Sequence, residues 1–297
     1  MMAQELTKTI FSSIIFFAAL TFLCGCAPRE NAFMVKEESF KSGGLTIVGH
    51  LYIPSGKKPA SAIILSHGTN PQGHNRLMYR EMCKKFAQRG YLVFGFDYRG
   101  YGDFQDPRRI QTAKDLDFIE DLANAISFLQ EKYGKNISEI TLVGHSFGGG
   151  VSIGTTVKDK RVKRVVAIGP PRRIKERFLM PGAAEGKEWL QERFTKDMRL
   201  KEPIPLDLIE EMMRPILIDT YVDHYFDKPI LLLDGSLESK EDRDFLKNMA
   251  EKMKGNITYI TLAGADHYFG ATDLANVENP KTLEKLISVI DAWIKKS

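Results

Sequence analysis

The sequence predicts an α/β fold in which helices cover both faces of a mostly parallel sheet. Three observations carry this. Short, continuously apolar runs recur along the chain, as strands buried on both faces require. Amphipathic stretches with helical periodicity separate them. One apolar run also passes directly into Gly144-His145-Ser146-Phe147-Gly148, a glycine-lined turn with a serine at its tip and a small-residue helix behind it.

Taken in order, Ser39–Phe40 and Leu45–Ile53 flank Gly43-Gly44 and predict an antiparallel hairpin. Ala62–Ser66 predicts a buried strand. Leu77–Arg89 predicts a helix stopped by Gly90, and Tyr91–Asp97 the next strand. Leu116–Tyr133 predicts a long helix with Leu116, Ile119, Leu122, Ala123, Ile126 and Leu129 on one face and Gly134 just beyond its end. Ile140–Gly144 reads as strand, Phe147–Val157 as helix and Val162–Ile168 as strand. Pro229–Asp234 is a strand, Asp242–Lys254 a helix, Ile257–Leu262 a strand and Thr282–Lys295 a helix.

Pro170–Asp227 breaks this rhythm. It carries no clear buried strand, has amphipathic pieces around Trp189–Phe194 and Leu206–Met213, and starts with the basic run Arg172-Arg173-Ile174-Lys175, read as a solvated face. An irregular loop of that length is unusual in a compact domain, so the segment predicts a helical cap. The expected organisation is a signal segment over 1–25, a tether over 26–36, core over 37–168, cap over 169–228 and core again over 229–297.

A chain of 297 residues has room for one large core and an inserted piece. It is 43% hydrophobic and 27% charged, a globular composition. Its 42 basic and 38 acidic residues leave a formal charge of +4, too mild for a nucleic-acid partner. Nothing in the sequence fixes an oligomeric state.

Ile10–Leu23 is apolar apart from hydroxyl residues and follows Lys8, yet falls short of the about 20 residues a spanning helix needs. It reads as a secretory signal, with an uncleaved anchor as the alternative. Leu23-Cys24-Gly25-Cys26 resembles the bacterial lipobox. That resemblance implies cleavage before Cys26, acylation of its thiol, and an exported protein anchored to a bacterial membrane, facing the periplasm or the cell exterior. Ala27, rather than Asp, follows the cysteine, which favours an outer membrane where one exists. Cys83 would then be the one thiol left and has no disulfide partner; it reads as a small buried hydrophobe.

The chemistry centres on Ser146. The glycines permit a sharp, strained turn that lifts its hydroxyl above the carboxyl edge of the sheet. The Phe147 amide would then lie at a helix N-terminus and donate to a developing oxyanion. Ser66-His67-Gly68-Thr69 follows an earlier strand and offers a second donor, the Thr69 amide, with Asn70 as alternative. His67 is expected to order that loop. His267, on the glycine loop after the last strand, is the candidate base. The acid should follow Pro229–Asp234, where Asp234, Glu238 and Asp242 are all at hand. No set of the six histidines has metal-ligand spacing, so no metal is expected.

At this point the chain resembles the α/β-hydrolase superfamily, in the branch of monoacylglycerol-lipase-like, serine-aminopeptidase-like and dienelactone-hydrolase-like proteins. The resemblance covers about residues 39–168 and 229–294. Besides the elbow it rests on the hairpin Gly44–Pro54 and on Asp97-Tyr98-Arg99-Gly100-Tyr101-Gly102, similar to a D-x-R-G-x-G loop on the site floor; Asp103-Phe104 follows where relatives often carry Ser. The family acid, usually Asp, stands three residues after the strand-end glycine, a place held here by Glu238. The resemblance implies a cofactor-free hydrolase in which Ser146, His267 and Glu238 cleave a carboxylic ester through an acyl-enzyme, with Thr69 and Phe147 forming the oxyanion hole, each worth ~3 kcal/mol. A serine aminopeptidase, with Glu210, Glu211 or Asp219 holding the substrate amine, is the alternative; a lipid-anchored binding protein without catalysis is another. The substrate is expected to be a small or medium ester, with Phe178, Leu179, Met180, Trp189, Met212 and Met213 either lining an acyl channel or forming the cap's own core.

Overall fold

The computed structural model describes residues 32–56, 58–102, 110–171, 184–272 and 275–297. The signal segment, Cys26, the run Arg172–Lys175 and Phe178, Leu179 and Met180 lie outside the described residues. Among the described residues there are eight strands: β1 (Phe33–Ser42), β2 (Leu45–Pro54), β3 (Ser61–Ser66), β4 (Leu92–Phe96), β5 (Glu139–His145), β6 (Val162–Ile168), β7 (Tyr225–Gly235) and β8 (Lys254–Leu262). They join in one sheet in the order β1-β2-β4-β3-β5-β6-β7-β8. β1 and β2 pair antiparallel along their whole length, β2 pairs antiparallel with β4, and the pairs from β4 through β8 are parallel. The winding reverses between β3 and β5. Their carboxyl ends therefore part into the crevice where open α/β sheets place ligands.

Among the described residues the helices are α1 (Leu77–Gln88), α2 (Phe118–Tyr133), α3 (Phe147–Lys158), α4 (Ala184–Asp197), α5 (Leu206–Met213), α6 (Lys240–Lys252) and α7 (Pro280–Lys296). One sheet face packs Ile63, Val93 and Leu231 against Met82 and Phe86 of α1 and Leu286, Ile287 and Ile290 of α7. The other packs Ile64, Leu142 and Leu232 against Leu122 and Ile126 of α2 and Val151 of α3, and its apolar cluster continues into Phe194 of α4 and Ile209 of α5. The two helices of the first face are also laced by polar contacts. Lys85 donates to Glu284 at 2.8 Å, Arg89 pairs with Glu284, and the Tyr91 hydroxyl donates to Asp291 at 2.8 Å.

Several boundaries differ from expectation, each for a local reason. β1 begins at Phe33, inside the expected tether; its outer half is exposed, so no apolar alternation marks it. β7 begins at Tyr225, inside the expected cap. Its register with β8 shifts between Phe226 and Ile230, and Pro229, which lacks a ladder donor, stands at that shift. The helix expected from Leu116 is split. Ala113–Leu116 is a 3₁₀ turn closed by a Thr112/Asp115 capping box, and α2 starts after Asp117, whose carboxylate accepts from the Glu120 amide at 2.9 Å. α6 starts at Lys240 because Ser239 is its N-cap, accepting from the Asp242 amide at 3.1 Å. Asp242 is thus a first-turn residue rather than the cap, and it accepts from the Ser239 hydroxyl at 2.7 Å. Cys83 is buried and free, and burial pushes its thiol pKa well up.

Candidate active site

β5 delivers Ser146 to the crevice on a strained backbone, φ 52° and ψ −123°, as the residue that opens α3. The strain is held by close packing. A side chain on Gly144 would put its Cβ 2.1 Å from the Gly148 carbonyl oxygen, and one on Gly148 would lie 2.4 Å from the Ser66 carbonyl oxygen. The Ser146 amide donates to the Ile168 carbonyl at 2.7 Å, tying the elbow to β6. Phe147 follows in the first turn of α3, where amides have no partner within the helix.

The loop after β3 lies against this elbow: a Cβ on Gly68 would be 3.0 Å from Ser146 Cβ. His67 holds the loop from inside. Its Nε2 accepts from the Tyr98 amide at 3.1 Å, so Nδ1 carries the proton and donates to the Gly68 carbonyl at 2.7 Å. Burial lowers its pKa to about 4, which keeps the ring neutral. The Asn70 amide also donates to the Gly68 carbonyl, at 2.8 Å. From the other side, Arg193 on α4 donates to the Thr69 carbonyl at 2.8 Å and pairs with the buried Asp197 at 2.6 Å.

The D-x-R-G-x-G loop is fixed by its charged members. Arg99 sits on the buried Asp121, with Nη2–Oδ1 at 2.6 Å and Nε–Oδ1 at 2.9 Å. Asp97 accepts from the His74 amide at 2.8 Å and faces its ring Nδ1 at 2.7 Å. Burial raises the Asp97 pKa, but the His74 contacts outweigh it and hold the carboxyl below its ordinary value. His74 in turn meets His50 at 2.6 Å.

The candidate acid and base lie on two loops zipped together. The Ser236 amide donates to the Leu262 carbonyl at 2.9 Å, Leu237 to Ala265 at 2.9 Å, and the Gly264 amide to the Ser236 hydroxyl at 2.8 Å. This places Glu238 Oε2 3.3 Å from His267 Nδ1, while Oε1 accepts from the Gly235 amide at 3.2 Å. Arg243 donates to the Glu238 carbonyl and to that of Ser236, the latter at 2.7 Å. The other two carboxylates near this strand end are engaged elsewhere: Asp234, at 0% exposure, accepts from Tyr259 at 2.9 Å, and Asp242 accepts from Ser239.

Ser146, His267 and Glu238 line one cavity of about 470 Å³, together with Thr69, Ser239 and Asp242. Its apolar wall is Phe147, Pro170, Pro171, Trp189, Leu190 and Met213. Of the residues considered for an acyl channel, Trp189 and Met213 line it; Met212 is buried and borders a separate cavity. Glu211, one of the candidate amine anchors, also borders that second cavity, and Glu210 pairs with Arg214 at 3.5 Å. Among the described residues, no group of three or more His, Cys, Asp or Glu side chains could hold a metal ion.

Three residues around the site escaped sequence reasoning. His145 was notable only as Ser146's neighbour; Tyr79 fits the apolar periodicity of α1, and Arg193 the polar face of α4. Only their long-range contacts distinguish them, and those carry no sequence period.

The comparisons with known proteins agree with this architecture. The family model for serine aminopeptidase, S33, matches residues 57–261. Among curated relatives, the esterase EstD of Thermotoga maritima is 28% identical over 49% of this chain and 36% of its own length. A monoacylglycerol lipase of Mycolicibacterium smegmatis is 28% identical over 39% of each chain. The match thus spans well under half the length of these relatives. Among solved structures, an esterase of Pyrococcus furiosus aligns with a TM-score of 0.61 at 19% identity, covering 91% of this chain and 94% of its own. A dienelactone hydrolase of Anabaena variabilis aligns with a TM-score of 0.58 at 14% identity, covering 89% and 98%. With the eight-stranded sheet, the strained serine elbow and a family match over most of its length, the chain belongs to the α/β-hydrolase superfamily and, within it, to the serine aminopeptidase S33 family.

Proposed function

We propose that this protein is a serine esterase that cleaves a small or medium carboxylic ester without a cofactor. The observation that carries the reading is the convergence of Ser146, His267 and the Glu238–His267 hydrogen bond on one cavity. In this mechanism His267 takes the Ser146 proton as the hydroxyl oxygen attacks the ester carbonyl. Glu238 holds Nδ1–H of His267, so that Nε2 is the bare base, and stabilises the imidazolium that forms. The amides of Phe147 and Thr69 receive the oxyanion. The tetrahedral species expels the alcohol, which takes its proton from His267. Water, activated by the same ring, then releases the acid and restores Ser146.

Cavity size and lining support an ester of modest length: about 470 Å³ lies within the ordinary range for small-molecule sites, and the Trp189–Leu190–Met213 wall suits an acyl chain. Labelling with a fluorophosphonate, followed by a panel of p-nitrophenyl esters and aminoacyl amides, tests the reading. Ester turnover that disappears in Ser146→Ala supports it. Turnover of aminoacyl amides alone points to an aminopeptidase, and absence of labelling to a binding protein on a hydrolase fold.

The N-terminal reading is a separate proposal, supported by the lipobox-like Leu23-Cys24-Gly25-Cys26. The mature protein starts at an acylated Cys26 and, with two or three chains, attaches stably to a membrane. Mass spectrometry finding an unmodified Cys26 peptide or an intact N-terminus refutes it.

A further inference from the structure

We propose that Tyr79 and His145 are positioning residues: their side chains form a one-directional hydrogen-bond chain that ties the oxyanion loop at Gly68 to the backbone of the candidate base, His267. The inference rests on the triad reading above and adds two residues to it.

The direction of the chain is set by donor chemistry. His145 Nε2 lies 2.8 Å from the His267 carbonyl, which only accepts, so Nε2 carries the proton. Burial lowers the His145 pKa to about 3, so the ring is neutral and its Nδ1 is a bare acceptor. The Tyr79 hydroxyl, 2.9 Å from Nδ1, therefore donates to it. The same hydroxyl then has its lone pairs for the Gly68 amide, which donates at 2.8 Å. Every donor in the chain has its acceptor, and each side chain allows one arrangement.

Both rings are enclosed: Tyr79 is 1% and His145 2% exposed. The His145 ring lies 4.8 Å from that of His267 and 5.7 Å from that of Tyr268, on which Arg76 stacks at 4.3 Å. A neutral ring beside His267 adds no charge opposing its imidazolium.

What the chain joins gives it a role in the reaction. Gly68 packs against Ser146 and precedes Thr69, the candidate oxyanion donor. His267 is the candidate base, and His145 itself is the residue before the nucleophile. One chain of side-chain bonds thus fixes three backbone points whose spacing determines whether base, nucleophile and oxyanion donors meet. Errors of about 1 Å in such spacing cost on the order of 100-fold in rate.

Tyr79→Phe removes the hydroxyl with no change of shape; His145→Leu removes both ring nitrogens; His145→Gln keeps an N–H at the reach of Nε2. kcat and KM on a p-nitrophenyl ester, normalised to folded protein by circular dichroism, are the readout. We expect Tyr79→Phe and His145→Leu to lose about 30-fold or more in kcat, with KM within about twofold, and His145→Gln to recover about tenfold over His145→Leu. If His145→Leu does not fold, Tyr79→Phe decides alone. Variants that melt lower yet keep kcat within about threefold would overturn the proposal, leaving the chain a merely structural bond. Equal loss in His145→Gln and His145→Leu would overturn it as well. If Ser146→Ala still turns over, the triad reading itself fails; if Ser146→Ala is dead and Tyr79→Phe is fully active, the relay alone fails.

Discussion

Replacing Glu238 by Gln exchanges one oxygen for an NH₂ group at constant shape, and the hydrogen bonds around the carboxylate determine the effect. The carboxylate accepts from the Gly235 amide at 3.2 Å and from His267 Nδ1 at 3.3 Å. A glutamine has one acceptor oxygen. If it keeps the Gly235 amide, its NH₂ faces Nδ1, and the imidazole must shift its proton to Nε2, where a base for Ser146 is needed. If the amide flips to keep Nδ1–H, two N–H groups face each other at Gly235. The first arrangement removes the base, and the second leaves a donor near a 0%-exposed strand end unsatisfied. Loss of the correct tautomer lowers turnover by ~10⁴ in a well-studied triad enzyme, and we expect at least about 100-fold here, or about 2.7 kcal/mol of barrier. The assay is kcat on a p-nitrophenyl ester, with Asp242→Asn in parallel. Asp242→Asn keeps an acceptor for the Ser239 hydroxyl and removes only a first-turn charge at the helix N-terminus, so it should cost about 0.3–1 kcal/mol of stability with little change in turnover. Turnover of Glu238→Gln above a tenth of wild type, with Asp242→Asn silent, refutes the reasoning.

Other parts of the structure give further expected outcomes. Ser146→Ala should abolish ester turnover while leaving the melting temperature close to wild type; wild-type-like activity sinks the nucleophile assignment. Gly148→Ala places a methyl 2.4 Å from the Ser66 carbonyl oxygen and 2.6 Å from that of His67, both backbone. Overpacking of this kind costs about 1–3 kcal/mol, so the melting temperature should fall by several degrees; an unchanged melt contradicts the packing described. Arg99→Ala leaves the buried Asp121 without its guanidinium, a loss of about 3–5 kcal/mol, measurable as a lower urea midpoint. The pH dependence has a definite sign. His67 and His145 have folded pKa values of about 4 and about 3, below the ordinary 6.5. Between 6.5 and about 4 the unfolded chain takes up protons that these rings refuse, so stability is full above 6.5 and falls as the pH drops, by on the order of 1 kcal/mol per histidine for each pH unit. Urea midpoints that do not fall between pH 7.5 and 5.5 would contradict their burial as neutral rings.

The legible parts of this chain were those whose physics is local. Ile63–Leu65, Leu142–Val143 and Leu231–Leu233 are buried on both sides, and such runs announce a central strand without tertiary knowledge. The elbow was legible because its glycines answer a steric demand within five residues. Less legible were segments whose identity depends on a partner. Met34 and Val35 are exposed and form strand only through pairing with β2. Pro229 reads as the start of β7, yet the strand passes through it because the pairing with β8 absorbs the irregularity. Thr112 and Asp115 close a box on a 3₁₀ turn, which shares its apolar spacing with the first turn of a helix. Within the candidate site, motif order and loop position pointed to Ser146 and His267, while Glu238 was one of three carboxylates at hand and was singled out by the family resemblance. Tyr79 and His145, 66 residues apart, could not, because nothing in either segment records the other.

The lacing of α7 to α1 also bears on how the chain matures. Glu284 and Asp291 meet Lys85, Arg89 and Tyr91 across about 200 residues of sequence, and Leu286, Ile287 and Ile290 cover a sheet face begun by β2, β3 and β4. A chain that lacks residues 280–297 has made most of that face but not the helix that covers it. Its apolar side chains would be open to chaperones or to other unfolded chains until that helix docks. Contacts of this sequence separation also slow folding, because the loop they close is ordered before it is rewarded. Deleting residues 280–297 should therefore trap the chain as an aggregating intermediate rather than shorten a finished domain.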